Sequence, residues 1–301
     1  MSTIACSVII PSYRSENTIG ACLRALLAQR GAPPYEIIVV DSSPDATAAI
    51  VRCDFPQVRL IEREQQTDPA TARNLGAAAA QGAIFCFIDS DCIAAPDWLA
   101  RLADRVGQGY SAVGGAIANA NGETLASWAS YICEFREFLP GGPARPATNL
   151  TIGNSAYRAS DFVALGGFPA GYFPQEDQVF HKAMRANDLR LLLDPAIIVA
   201  HTHRSRPAEY LAHQHRIGQA NARVLQTIDL PGAWLARNRA LAALALPALV
   251  PYRLARTLYA CRGVQGGLAL RSPALLWLCL RGMIAWGHGF FEATAPTQRA
   301  A

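Results

Sequence analysis

AIFCFIDSDC, residues 83–92, decides how the rest of the chain is read. Its first six residues are an apolar run, and Asp89 and Asp91 follow at once with only Ser90 between them. A short continuous apolar run bounded by turn residues fits a strand covered on both faces. The two acids then stand at the carboxyl end of that strand. Like charges held so close repel, so something positive is expected between them. Two sources are open: a hard divalent ion, Mg2+ or Mn2+, which takes oxygen ligands and shares them with phosphates, or the positive end of a helix near 96–106.

Upstream, residues 4–10 form another β-rich run, ended by Pro11. Ser15 can cap a helix whose apolar positions Ile19, Cys22, Leu23, Leu26 and Leu27 share one face. EIIVVD (36–41) reads as a second buried strand. A helix over 47–52, a strand over 58–62 and a helix over 69–82 lead back to the opening stretch. This alternation predicts an α/β fold with a mostly parallel central sheet and helices on both faces. In such sheets ligands bind beyond the carboxyl ends of the strands. Pro11, Ser12, Tyr13, Asp41, Asp89, Ser90 and Asp91 all fall at such ends, on one edge.

Downstream, a strand is expected at 111–117, a helix at 124–138, a strand at 150–158, helices at 160–168 and 175–187, and more strand at 189–203. The Gly/Pro-rich segment 139–149 serves equally as a substrate lid or as a plain connector. The sequence carries 301 residues, is 51% hydrophobic and has a net charge of +4, which excludes a disordered chain. The charge is unevenly placed. From Arg206 on there are 11 arginines against three acids, Glu209, Asp229 and Glu292, so the basic charge lies beside the most apolar runs, 240–250 and 273–291. That pattern suits helices lying in the interface of an anionic membrane, or ones packed against protein. A catalytic region over 1–205 and a helical, apolar and basic tail over 206–301 are expected. The eight cysteines form no C-x-x-C pair, which points to a reduced, cytoplasmic compartment with the tail peripheral on the inner face of the membrane.

The remaining polar residues divide by chemistry. Asp41 ends its strand where an acid can accept hydrogen bonds from a nucleoside, or cap the next turn. Arg73 is a lone cation on the helix 69–82 and suits a diphosphate, an acid such as Asp41, or a solvated face. Glu176 and Asp177 open a helix, where the dipole favours acids; they also suit general base catalysis on an incoming hydroxyl. His201 and His203 alternate at a strand end, so one is expected at the site, His201 or His203 completing a metal shell or touching a leaving diphosphate. His213, His215, Arg216 and Arg223 read as a basic wall near the site or a membrane-facing surface.

With these residues in view, the chain resembles the family 2 glycosyltransferases of GT-A fold over about residues 5–205. SVIIPSYRSENTIGACLRAL, EIIVVDSSPDAT, ATARNLGAAAAQG, FIDSDC and GGFPAGYFPQEDQVFHKAMRANDLRL are similar to that family's segments in order and spacing. The resemblance implies transfer of a sugar from a nucleotide-diphosphate donor with inversion, supported by Mg2+ or Mn2+. By position, Pro11, Ser12, Tyr13 and Ser90 would meet the nucleotide, Asp41 the base, and Arg73 the nucleotide or diphosphate. Asp91 would be the main metal ligand, with Asp89 on the ion or the ribose and His201 a further ligand. Asp177 would be the general base, with Glu176 positioning it or the acceptor. The acceptor implied by the tail is a lipid-linked or cell-envelope glycan; no nucleic acid is implied. A Q-x-x-R-W motif of processive members has no counterpart in HQHRIGQANAR (213–223), which favours single addition. Two other readings exist: a phosphatase of haloacid dehalogenase type, which needs a downstream lysine where only Lys182 exists, and a non-catalytic membrane-bound scaffold.

Overall fold

The computed structural model describes residues 3–263 and 272–294. It separates into two compact units, one running through Ala120 and including Pro140–His201, the other formed by Asn121–Leu139 and the described residues from Thr202 on.

The first unit holds one sheet. Its strands are β1 (Cys6–Ser12), β2 (Tyr35–Asp41), β3 (Arg59–Glu62), β4 (Ile84–Ile88), β5 (Cys92–Ala94), β6 (Ala112–Asn119), β7 (Arg145–Pro146), β8 (Asn154–Arg158) and β9 (Leu191–His201). The order is β3-β2-β1-β4-β8-β6-β9-β5, with β7 also on β9. Strands β3, β2, β1 and β4 are parallel neighbours, as are β6 and β9, while β8 runs antiparallel to both β4 and β6. Val8, Ile9, Ile10, Ile38 and Val39 are fully buried, which explains their unbroken apolar runs. Helices α1 (Ile19–Leu27), α2 (Thr47–Asp54), α3 (Pro69–Ala79) and α4 (Trp98–Gly107) connect these strands. The register pairs Ser12 with Asp41 and Ile9 with Phe87, so β1, β2 and β4 end at nearly one level. Their loops therefore share the edge expected from sequence.

β9 is irregular where it matters. Gly115 of β6 pairs with Asp194, but the next residue, Ala116, pairs with Ile198, so β9 bulges over residues 195–197. Asn154 fills the bulge: its Nδ2 donates to Ala116 O at 2.8 Å and Ile197 O at 3.1 Å, and its Oδ1 accepts from Trp98 Nε1 at 2.8 Å. A Cβ on Gly115 would stand 2.1 Å from Ile197 O, so only glycine fits there. Beyond the bulge, β5 pairs antiparallel with β9 and sets Cys92 opposite His201.

The second unit contains α5 (Leu125–Phe135), α8 (Pro207–Thr227), α9 (Ala233–Ala236), α10 (Arg239–Ala260) and α11 (Pro273–Ala293). Helices α6 (Ala159–Ala164) and α7 (Glu176–Ala186) belong to the first. The division differs from a boundary at residue 205. α5 lies with the C-terminal helices, its Ser130 donating to Glu134, which in turn pairs with Arg204 and His213. A sequence cut cannot show this, because α5 is inserted between two strands of the other unit.

Candidate active site

At the carboxyl end of β1, Ser12 is buried and its Oγ has no hydrogen-bond partner among the described residues. Tyr13 beside it is 36% exposed, with the Arg14 guanidinium 5.4 Å from its ring centre. Asp41 is buried, and both its oxygens are engaged by Ser43, Oδ1 by the hydroxyl at 2.7 Å and Oδ2 by the backbone N–H at 3.2 Å. Ser43 Oγ in turn accepts from Arg14 N at 2.7 Å. Asp41 therefore forms a turn that ties the loop after β1 to the end of β2. It caps no helix; ahead of α2, Asp45 accepts from the backbone N–H and the hydroxyl of Thr47. Ser15 does not cap α1 with its side chain either. Its hydroxyl lies 2.7 Å from that of Ser90, joining the first loop to the Asp89–Asp91 turn.

Arg73 is neither solvated nor paired with Asp41. It is 6% exposed, donates from Nη2 to Asp89 Oδ1 at 2.7 Å and from Nη1 to Glu176 Oε1 at 2.9 Å. Its Nε and Glu176 Oε2 have no partner among the described residues. Burial works against the charge on Arg73, but Asp89 and Glu176 outweigh it and raise its pKa. One guanidinium thus holds the end of β4 against the start of α7, a geometry that its rigid fork suits.

The two acids of the D-x-D turn diverge. Asp89 faces Arg73, while Asp91 Oδ1 lies 3.5 Å from His201 Nε2. Asp91, Cys92 and His201 each bring a ligand atom within 4.8 Å of the others. Cys92 is a buried soft thiol that does not suit a hard divalent ion, so the carboxylate and imidazole are the usable donors. Neither acid caps α4, which begins at Trp98 behind Asp97. Gly153, which carries no sequence signal of its own, is required here: a Cβ would come 2.5 Å from Asp89 Oδ2. His203 belongs to the other unit. It is buried there, its ring 5.4 Å from that of Tyr131 and 5.5 Å from that of Phe135. His213 Nε2 lies 3.5 Å from Glu134 and His215 Nε2 lies 2.8 Å from Glu292, both acids of their own unit.

Asp177 is half-buried at the start of α7, and desolvation, followed by the neighbouring Glu176 charge, lifts its pKa to about 7. Burial likewise raises Glu176, against the pull of Arg73. Three residues outside the sequence reading support Asp177. The side chain of Asn149 hydrogen-bonds its carboxylate. His181 Nδ1 lies 2.6 Å from Asn149 Oδ1, and His181 Nε2 lies 2.8 Å from the Tyr157 hydroxyl. His181 is fully buried, which pushes its pKa down to about 3 and keeps the ring neutral. The same Nδ1 accepts from Leu150 N at 3.3 Å, so the ring is tied to the loop before β8 as well as to Asn149. The spacing of His181 four residues after Asp177, on one helix face, was the only available signal.

The comparisons with known proteins agree with this geometry. The model for "Glycosyl transferase family 2" matches residues 7–166. Glycosyltransferase AglE of Haloferax volcanii is 31% identical over 229 residues, which cover 72% of this chain and 73% of that protein. WfgD of Escherichia coli, a UDP-Glc:α-D-GlcNAc-diphosphoundecaprenol β-1,3-glucosyltransferase, is 33% identical over 97 residues, 32% of this chain and 36% of its own. Among solved structures, the mannosyltransferase PcManGT of Pyrobaculum calidifontis, in complex with GDP-Man and Mn2+, superposes with a TM-score of 0.62 over 95% of this chain and 89% of its own, at 20% identity. Fold, motif order and family match converge, and the chain belongs to glycosyl transferase family 2 as a nucleotide-sugar dependent glycosyltransferase of GT-A fold.

Proposed function

We propose that the chain moves a sugar from a nucleotide-diphosphate donor to a hydroxyl of a lipid-linked or cell-envelope glycan, with inversion, by single displacement. The observation that carries this reading is the Arg73 bridge, which fixes Asp89 of the D-x-D turn and Glu176 beside Asp177 in one charged assembly. A carboxyl poised at about pH 7 is matched to take a proton from an acceptor hydroxyl. Asp177 acts as that base, and Asn149 holds its carboxylate toward the acceptor. Glu176 is fixed by Arg73, with Oε2 left open toward acceptor or donor hydroxyls. Pro11, Ser12, Tyr13 and Ser90 line the nucleotide side. There the unpartnered Ser12 hydroxyl is available to a phosphate or ribose, the exposed Tyr13 ring to a base, and the Asp41 turn keeps this loop in place.

The donor set fits a hard divalent ion. Asp91 and His201 would hold Mg2+ or Mn2+, with Asp89 assisting, and bound there the ion supplies charge neutralisation for the departing diphosphate. Mn2+ accompanies the donor in PcManGT. WfgD, by its name, uses a diphosphoundecaprenol acceptor, which supports a lipid-linked acceptor here and agrees with the tail. Two helices, Arg239–Ala260 and Pro273–Ala293, are long and apolar enough to cross a membrane. α10 exposes Leu244, Tyr252 and Tyr259 by 78%, 62% and 68%, which supports a helix lying on a membrane surface. The family match argues against the phosphatase alternative.

A thermal-shift screen with UDP-, GDP- and dTDP-sugars, with and without Mn2+, identifies the donor through ligand-linked stabilisation. Asp91→Ala should lose the Mn2+-dependent part of the shift, and Asp177→Asn should keep it while losing turnover. Donor turnover unchanged in Asp91→Ala would overturn the metal-assisted reading.

A further inference from the structure

In the second unit α8 and α11 cross in backbone contact. A Cβ on Gly289 would stand 2.0 Å from His215 O, and one on Gly218 would stand 2.0 Å from Trp286 O. Glycines on both helices therefore fix how closely the two approach. The crossing sets His215 and Gln219, one turn apart on α8, against His288 and Glu292, one turn apart on α11. His215 Nε2 lies 2.8 Å from Glu292 Oε2, and His288 Nε2 lies 3.5 Å from Glu292 Oε1. Gln219 Nε2 donates to Glu292 Oε2 at 3.1 Å. The two imidazole rings are 5.3 Å apart, and one ligand atom from each of His215, His288 and Glu292 falls within 4.8 Å of the others.

We propose that His215, His288 and Glu292 form a second divalent-metal site, of the zinc class, that clamps α8 to α11. Ligand atoms around a tetrahedral ion with bonds of ~2.0–2.2 Å stand roughly 3.3–3.6 Å apart, and the three atoms need shifts of no more than a rotamer adjustment to reach that spacing. Two imidazoles and one carboxylate select Zn2+ over Mg2+, which prefers oxygen alone. The side chains of His288 and Glu292 are 66% and 41% exposed, which gives the ion a route in and a place for a water as fourth ligand. Gln219 then acts as the outer partner that orients the Glu292 carboxylate, as second-layer groups do in such sites. This site is separate from the Asp91–His201 pair and does not depend on the catalytic reading.

The test uses tag-free, chelator-treated full-length protein carrying Asp91→Ala and His201→Ala, so that the proposed catalytic ion cannot contribute. Titration with Co2+ should show one equivalent with the intense visible bands of a four-coordinate ion, and Zn2+ should displace it and raise the melting temperature. His288→Ala and Glu292→Gln, both at exposed positions that leave the helices intact, should weaken Zn2+ binding by at least ~100-fold, more than the ~10–100-fold typical of losing an outer-layer partner. Zn2+ affinity unchanged in His288→Ala, or the absence of four-coordinate Co2+ bands, would overturn the proposal and leave an ordinary ion-pair cluster.

Discussion

Replacing Arg73 by methionine keeps its volume but strips the charge from between Asp89 and Glu176, the latter 4% exposed. Breaking a buried ion pair by removing one partner costs about 3–5 kcal/mol, because the other charge is left uncompensated. Urea denaturation of Arg73→Met should show a loss of that size at pH 8 and a smaller one at lower pH, since burial already raises the Glu176 pKa and protonation removes its uncompensated charge. Asp177 obeys the opposite logic. It titrates at about 7 when folded against ~3.9 unfolded, so the folded protein holds an extra proton between those values and loses stability as pH rises through that window. Asp177→Asn should therefore be more stable than the parent at pH 8, by about 1–3 kcal/mol allowing for partial exposure, and by less at pH 5. Its turnover should fall by ~10²–10⁴. In the parent, kcat should rise with pH and level off above about 7. Asn149 lowers the Asp177 pKa by its hydrogen bond, so Asn149→Ala should move that acid limb upward, a shift that a purely structural defect would not produce.

At the scale of elements, the β9 bulge is the decisive irregularity. Gly115→Ala puts a methyl group 2.1 Å from a backbone oxygen, which no rotamer can relieve. It should cost more than the ~1–3 kcal/mol typical of overpacking and also weaken Mn2+ binding, because the bulge sets the part of β9 that carries His201. Gly76→Ala on α3 meets Cγ2 of the fully buried, branched Ile9 at 2.4 Å, a side chain that must repack and not a fixed backbone atom, so a cost of ~1–3 kcal/mol and an unchanged metal affinity are expected. Denaturation midpoints and Mn2+ titration of both variants separate the two cases. Strands β1, β2 and β4 were legible because burial on both faces writes a continuous apolar run into the sequence. β5 and β7, of three and two residues, were not, since they are too short to carry a period. The direction of β8 was also hidden, because an apolar run looks the same read either way.

At the scale of the whole molecule, the apolar composition and the basic tail are expressed in the second unit. There α11 lines one side of a core with Trp286 and Phe290, while α10 leaves large side chains exposed. Leu244→Ser with Tyr252→Ser should leave the melting temperature nearly unchanged, since both positions are exposed, yet reduce capture by anionic vesicles. Binding of the parent should fall with salt, as the arginine contribution is screened. Co-sedimentation with phosphatidylglycerol vesicles at low and high salt checks both; equal capture of parent and variant would remove α10 from the membrane-facing surface.

Local pattern alone determined the alternating strands and helices, the placing of Ser12, Asp41, Asp89 and Asp91 at strand ends, and the family resemblance that follows from their order. These are properties of residues within a few positions of one another, where periodicity and turn chemistry act. Tertiary structure decided the rest. Arg73 finds partners 16 and 103 residues away. Asp177 acquires its pKa from burial and from Glu176, His201 reaches Asp91 only across the β5–β9 pairing, and α5 lies with the tail helices. Charge coupling and desolvation depend on distance in space, and chain position records that distance only after the sheet has closed.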